Sequence, residues 1–148
     1  MHTLIYRQQH AMIRRQAKAL TDGMYGELGA SELRVALSRL ASTVTIHFTT
    51  AQDSLYPRLT SHPDPAVRMV ARRYHDSLGA LARRFSAFYE SWKAYGAIEH
   101  DRARFPTEAR DLLEAVVARV DAEDRELYAL LDELPAASWF KPVSPTWS

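Results

Sequence analysis

The chain has 148 residues, of which 47% are hydrophobic and 25% are charged. This size and this mixture favour one compact domain with a single core and exclude a disordered chain. The 19 basic and 18 acidic residues leave a formal net charge of +1, so the strong positive field that nucleic-acid binding needs is missing.

Two further classes of protein are excluded by the composition. The chain has no cysteine, which rules out disulfides, thiolate zinc sites and cysteine nucleophiles, so nitrogen and oxygen would have to hold any metal. No stretch approaches the roughly 18 consecutive apolar residues of a membrane span, and the N-terminus lacks the apolar core of a signal peptide. We therefore expect no membrane partner and a cytoplasmic location.

The first half of the chain predicts two helices. The first spans residues 2–20 and ends where "TDGMYGELGA" brings three glycines. The second begins after Ser31, a plausible N-cap, and runs to about Leu59. The apolar stripe of the first helix is Tyr6, His10, Ile13, Ala17 and Leu20. That of the second is Leu33, Leu37, Leu40, Val44, His47, Ala51 and Leu55.

The second half predicts two more helices. Asp64 suits the N-cap and Pro65 the first position of helix three, and a break around "AYGAIEHDRARFPT" precedes a fourth helix from Thr107 to Pro135. The stripe of helix three is Val67, Ala71, His75, Leu78, Ala82, Phe85 and Tyr89. That of helix four is Leu113, Val116, Val120, Glu123, Leu127, Leu130 and Leu134.

Four amphipathic helices with short connections predict an all-α fold, an up-down-up-down four-helix bundle over residues 1–135. The remaining segment, residues 136–148, reads "AASWFKPVSPTWS" and contains two tryptophans and a phenylalanine. A segment this apolar is expected to pack on the bundle or on a partner protein, because aromatic side chains are common interface anchors.

Each predicted stripe carries one side chain that could bind a metal. These four are His10, His47, His75 and Glu123. Burying such groups without partners costs about 1–3 kcal/mol each, so we expect them to converge and either satisfy one another or share an ion. Imidazole and carboxylate donors suit iron, zinc or manganese. His2, His62 and His100 lie at the terminus or in loops, where we expect them to be exposed.

The pattern resembles that of the hemerythrin-like (HHE cation-binding) domains over nearly the whole chain. The resemblance rests on a histidine in the middle of helix one and on "IHFTTAQDSLYP", "YHDSLGAL" and "LLEAVVARVDAEDRELYALL" in the next three helices. It implies a four-helix bundle around a non-haem di-iron centre with several histidines and two bridging carboxylates. It also implies that the four side chains on the stripes occupy ligand positions.

Three other ligand positions of that family hold different residues here. Ala51 replaces the helix-two carboxylate, Gly79 the second helix-three histidine and Arg119 the helix-four histidine. These changes remove most ligands of one iron and add a permanent cation, which argues against a di-iron centre. Arg119 and Glu123 are four residues apart and are expected to form an ion pair. His10, His47 and Glu123 remain, with His75 as a further candidate, for a single iron or zinc ion.

The sequence leaves alternative functions open. One is a non-catalytic binding or regulatory module whose incomplete site is a metal-free polar core. The second is a mononuclear sensor or handler of dioxygen, nitric oxide or peroxide, as the resemblance implies. A third is phosphotransfer, since His75 and Gly79 have the spacing of histidine phosphotransfer domains, although Leu78 stands where those carry a lysine. No nucleophile and base stand out, so enzymatic activity is not predicted.

Overall fold

The structure, a computed structural model, describes residues 3–135. Helix α1 comprises Leu4–Tyr25. Helix α2 begins with Ala30–Thr50 and continues without a break through a π-helical segment, Ala51–Leu55, into the α-helical turn Tyr56–Thr60. Both helices fall in the part of the chain where the apolar stripes predict helix.

The second half of the chain repeats this arrangement. Helix α3 comprises Pro65–Trp92, and a short helix α4, Ala97–His100, follows it. Helix α5 begins with Arg104–Ala122 and continues through a second π-helical segment, Glu123–Tyr128, into Ala129–Asp132. Each of the two π-helical segments therefore lies inside a long helix.

The all-α prediction is confirmed, since the described residues form helices and connections without a strand. Helix α1 packs against α2 and α5, and α3 packs against the same two helices, so the four long helices enclose one core. The up-down-up-down order stays a prediction. Within residues 3–135 no helix has the length and apolar character needed to cross a membrane.

The predicted end of the first helix and the predicted cap of the second are wrong. Helix α1 continues past Gly23 to Tyr25 and ends at the C-cap Gly26, because Gly23 is buried and its missing side chain makes room for Leu28, whose Cδ1 a Cβ at this position would overlap. The N-cap of α2 is Gly29 and not Ser31, and no side chain caps this helix. Close packing therefore explains the first of the three glycines, whereas the other two lie at helix ends.

The predicted start of the third helix is confirmed. Asp64 is its N-cap, with a side-chain oxygen that accepts a hydrogen bond from the Ala66 amide at 2.9 Å, and Pro65 is the first helical residue. The fourth long helix begins at Arg104, three residues before the predicted start, and ends at Asp132 rather than Pro135.

The core contains an aromatic end, which we define as Phe88, Trp92, Ile98 and Phe105. The Trp92 and Phe105 rings meet edge to face with centroids 5.1 Å apart, and Phe88 lies 5.9 Å from Phe105. The indole nitrogen of Trp92 donates a hydrogen bond to Glu108 at 2.8 Å. Apolar packing therefore stabilises this end of the bundle, with its polar atom satisfied at the surface.

Four sequence predictions concern residues away from the centre of the bundle. The tail, residues 136–148, and His2 lie outside the described residues. His100 is exposed as predicted, but His62 is buried, which corrects the prediction of exposure. Its Nδ1 accepts a hydrogen bond from the Asp64 amide at 3.0 Å, which holds the ring inside the connection between α2 and α3.

Candidate metal centre

His10, His47 and Glu123 meet in the middle of the bundle. Their side chains come from α1, α2 and α5, and each is at most 1% exposed. The Nε2 atoms of the two histidines are 2.8 Å apart, and Glu123 Oε1 lies 3.4 Å from that of His10 and 3.9 Å from that of His47. These three side chains form a group whose donor atoms could hold one metal ion.

The π-helical segments shape the core around this group. In an α-helix neighbouring residues point about 100° apart, and a π segment, with its wider turn, changes which residues face the core. Here Leu55 and Tyr56 are both completely buried where the first π segment ends, as are Leu127 and Tyr128 in the second. The wider turns thus bring two tyrosines towards the centre, a placement for which π-bulges are known at functional sites.

The outer nitrogens of both imidazoles are held by acceptors. His10 Nδ1 lies 2.8 Å from Asp124 Oδ1, and His47 Nδ1 lies 2.7 Å from Gln9 Oε1. A carboxylate and an amide oxygen can only accept, so both Nδ1 atoms carry the proton and donate it. When the rings are neutral, both Nε2 atoms consequently direct lone pairs into the centre.

Three acceptor atoms therefore converge where a donor is needed. Glu123 Oε1 is buried and has no hydrogen-bond partner among residues 3–135, and the two Nε2 lone pairs face it. The Tyr128 hydroxyl approaches His10 Nε2 to 3.4 Å, longer than an ordinary hydrogen bond from a hydroxyl. Such an arrangement is stable only with a cation in it, either a shared proton or a metal ion.

The donor set fits a single divalent metal ion. Two histidines and one carboxylate bind zinc in hydrolases and iron in non-haem oxygenases, and in both classes they leave open positions. Metal–nitrogen bonds of about 2.0–2.1 Å place two imidazole nitrogens on one ion about 2.9–3.4 Å apart. The 2.8 Å separation seen here would have to widen by a few tenths of an ångström, a movement within the reach of side-chain adjustment.

The other carboxylate oxygen of Glu123 faces away from the histidines. Oε2 accepts a short hydrogen bond from the Tyr56 hydroxyl. That hydroxyl in turn accepts a hydrogen bond from Arg119 Nη2 at 2.9 Å, while Nη2 itself lies 3.6 Å from Oε2. The predicted ion pair between Arg119 and Glu123 is confirmed, and it occupies one carboxylate oxygen only.

Helix α3 supplies the remaining partners of the buried guanidinium. Arg119 Nη1 donates to Ser77 Oγ at 2.7 Å and Nη2 donates to the Tyr74 carbonyl at 2.8 Å. The guanidinium carbon also lies 4.9 Å from the centroid of the Tyr74 ring. Arg119 is thus fixed between α5 and α3 by hydrogen bonds and by a cation–π contact.

Charge and burial oppose each other at Glu123. Burial by itself raises the pKa of this carboxyl, but a hydrogen bond from His10 or His47 when its Nε2 carries a proton, the charge of Arg119 and the Tyr56 hydroxyl lower the pKa far below its usual range. Burial lowers the pKa of His47, which keeps this imidazole neutral with its lone pair available. Burial, followed by the charge of Glu123, raises the pKa of Tyr56, so the hydroxyl keeps its proton for the carboxylate.

The structure places His75 outside the centre and corrects the stripe predicted for α3. The buried residues of this helix include Ala71, Tyr74 and Leu78, whereas the side chain of His75 is 42% exposed. One residue along a helix rotates a side chain by about 100°, so the face that includes Tyr74 turns His75 towards solvent. The guanidinium of Arg119 lies against the face on which a ligand from α3 was expected.

The three replaced ligand positions are accommodated in different ways. Ala51 is 1% exposed and faces the core from the start of its π segment, whereas Gly79 is half-buried. A Cβ at Gly79 would lie 3.2 Å from Arg83 Nη1.

The exposure of His75 also bears on the phosphotransfer alternative. Because His75 is exposed, burial does not argue against phosphotransfer. However, Leu78, which is buried, holds the position where histidine phosphotransfer domains carry a lysine.

Sequence reasoning missed the residues that hold the centre in place. These are Gln9, Tyr56, Tyr74, Ser77, Asp124 and Tyr128. Asp124 directly follows Glu123 and Gln9 directly precedes His10, so a search for second acceptors beside each candidate ligand would have found both. The roles of Tyr56 and Tyr128 depend on the π segments, for which the sequence carries no comparable signal.

Two imidazoles and a carboxylate that converge in the core of a helical bundle are typical of a cation-binding domain. The family model described as the hemerythrin HHE cation binding domain matches residues 2–131. The chain therefore belongs to this family, as its sequence pattern indicates. Among curated proteins and among solved structures, none matches the chain closely enough to count as a relative.

Proposed function

We propose that this protein is a single-metal binding module in which His10, His47 and Glu123 hold one iron or zinc ion in the divalent state. The observation that carries the proposal is the buried Glu123 Oε1, which has no hydrogen-bond partner among the described residues and faces two imidazole lone pairs. The hydrogen bonds from His10 to Asp124 and from His47 to Gln9 support it, because partners of this kind orient metal-binding histidines.

Charge limits the site to one ion. The guanidinium of Arg119 already contributes a positive charge beside Glu123 Oε2, and a second metal ion there would be repelled. Ala51 offers no bridging carboxylate. The module is accordingly proposed to be non-catalytic and regulatory, and family resemblance points to dioxygen, nitric oxide or peroxide as the ligands that it would sense.

Metal content tests the proposal. Protein from which metal has been removed should take up about one equivalent of Fe(II) or Zn(II), in line with a two-histidine, one-carboxylate site. His47→Gln should lose this uptake, whereas His75→Gln, which changes an exposed histidine outside the centre, should keep it. Uptake below about a tenth of an equivalent by a folded wild-type protein would contradict a metal-binding function.

One observation favours a metal-free module as the second candidate. The 2.8 Å separation of the two Nε2 atoms equals a hydrogen-bond distance, so one shared proton could satisfy both lone pairs. In that case the centre would be a polar core that positions the four helices. The uptake experiment separates the two candidates, because only the metal site gives saturable binding that depends on His47.

A variant with restored ligands tests the role of Arg119. Ala51→Glu combined with Arg119→His returns to the core the carboxylate and the imidazole that the family pattern has at these two positions. If Arg119 is what limits the site to one ion, the double variant should bind more than one equivalent while Ala51→Glu alone should not. A folded double variant that binds no more metal than the wild type would contradict this role.

A further inference from the structure

A groove runs between α1 and α5, with a volume of about 510 Å³. Its floor is apolar and its rims are charged. The floor consists of Ala17, Leu113, Val117 and Ala118. The rims consist of Arg14, Lys18, Asp22, Arg110, Glu114 and Asp121, with Thr21 between them.

The charges on the rims are largely matched within the groove. Arg14 Nε donates to Asp121 at 2.7 Å, and Lys18 Nζ donates to Asp22 at 2.6 Å. Paired charges exert little attraction on a charged ligand, so an occupant has to be recognised mainly by the apolar floor.

The chain itself contains a segment of this character. The tail, residues 136–148, carries Trp139, Phe140 and Trp147. It leaves the bundle beside the start of α1, since Thr3 Oγ1 donates a hydrogen bond to Asp132 Oδ1 at 2.7 Å. The two helices that form the groove are therefore also the two helices nearest to the point where the tail departs.

The length of the tail matches the position of the groove. At about 1.5 Å per helical residue, Asp121 at the near end lies about 16 Å from Asp132, and Arg110 at the far end about 33 Å. An extended chain covers up to about 3.3 Å per residue, so from Pro135, the last described residue, Trp139 reaches about 13 Å and stays short of the groove, whereas Trp147 reaches about 40 Å and spans it. The other groove on α5, beside Leu112 and facing α3, starts only about 30 Å from Asp132.

We propose that the tail, residues 136–148, folds back along the groove between α1 and α5 and places the side chain of Trp147 on Val117 and Leu113. The tail is thereby an internal cover of this surface. This inference does not depend on metal binding, because neither the floor of the groove nor the tail contributes a ligand to the centre.

The absence of cysteine from the chain makes a disulfide test specific. Ala118→Cys with Thr146→Cys joins an exposed position of the floor to the tail. The matched control is the same pair with Trp147→Ser, which keeps both cysteines and the tether and removes the aromatic side chain. A tail that does not dock should form the disulfide at the same rate in both proteins, since the tether and the two positions are the same.

The expected result is an internal disulfide in the monomer that forms about tenfold or more faster with Trp147 present than in the Trp147→Ser control. Equal rates, or no disulfide, would overturn the proposal. A disulfide-linked dimer would also overturn it and would show that the groove binds the tail of a second copy. Helical circular dichroism verifies the fold of each variant, and Val117→Cys with Thr146→Cys provides a second pair at the same floor.

Discussion

The aromatic end and the metal centre belong to one core but are held together differently. At the aromatic end, Trp92 and Phe105 pack through large apolar surfaces, and rings of similar size could replace them. At the centre, Glu123 depends on partners from α1, α2 and α5 at defined atoms. Packing tolerates change in one region, whereas in the other every polar atom needs its own partner.

The largest expected effect comes from separating the buried ion pair. Glu123→Leu leaves the guanidinium of Arg119 buried without its carboxylate, and loss of one partner of a buried pair costs about 3–5 kcal/mol. Glu123→Leu with Arg119→Met removes both charges and should recover at least half of that loss. Urea denaturation of the metal-free proteins measures both. A double variant as unstable as the single one would show that the two charges are not coupled.

The second effect concerns metal affinity. Asp124→Asn keeps an acceptor for His10 Nδ1 but removes the negative charge, and changes to such partners weaken metal binding about 10- to 100-fold. Asp121→Asn is the control, because Asp121 also binds Arg14 but is not a partner of His10. Competition with a chelator measures the two affinities. If both variants bind zinc as tightly as the wild type, Asp124 does not support the site.

A change at the aromatic end should affect stability alone. Phe105→Leu removes the edge-to-face contact with Trp92 and part of the packing, at a cost of about 1–2 kcal/mol. Its metal uptake should equal that of the wild type. Chemical denaturation and metal analysis of the same preparation test this, and a loss of metal without unfolding would mean that the two regions are coupled.

The smallest effect is a dependence on pH. Burial lowers the pKa of His47 in the folded protein, whereas in the unfolded chain a histidine titrates near 6.5. As the pH falls below about 6.5, the unfolded state takes up a proton that folded His47 does not, so the free energy of unfolding falls by at most about 1.4 kcal/mol per pH unit.

The contribution of neutral His47 to the free energy of unfolding is fully present above the pKa of the unfolded chain. It is lost as the pH falls towards the lowered pKa of His47 in the folded state. Urea denaturation of metal-free protein between pH 7 and pH 5 measures the slope. His47→Gln removes the titrating group and should flatten the slope by the same amount. If the free energy of unfolding depends on pH equally in both proteins, the pKa of His47 is not lowered by folding.

The sequence predicts the two regions unequally well. Apolar spacing places Phe85, Val116 and most of the core on the correct faces, because burial follows the helical period. The same period fails at His75, where the observed stripe passes through Tyr74 instead. A histidine at the edge of a stripe can turn inward or outward, and the choice depends on what fills the adjacent space, which here is Arg119.

The sequence also predicts only part of the candidate site. His10, His47, Glu123 and the ion pair to Arg119 could be predicted, because their spacing fixes which helix face they share. The hydrogen bond between Tyr56 and Glu123 joins residues far apart in the chain and depends on the π-helical segment before Tyr56. Contacts of this kind require the packed structure, since they depend on the register of one helix against another.

The most direct test of the single-metal centre is an anomalous scattering map from crystals grown with Zn(II). We expect one peak bonded to His10 Nε2, His47 Nε2 and Glu123 Oε1, with the Arg119 guanidinium still beside Glu123 Oε2. A map without a peak at this position, or with two peaks and a displaced Arg119, would contradict it.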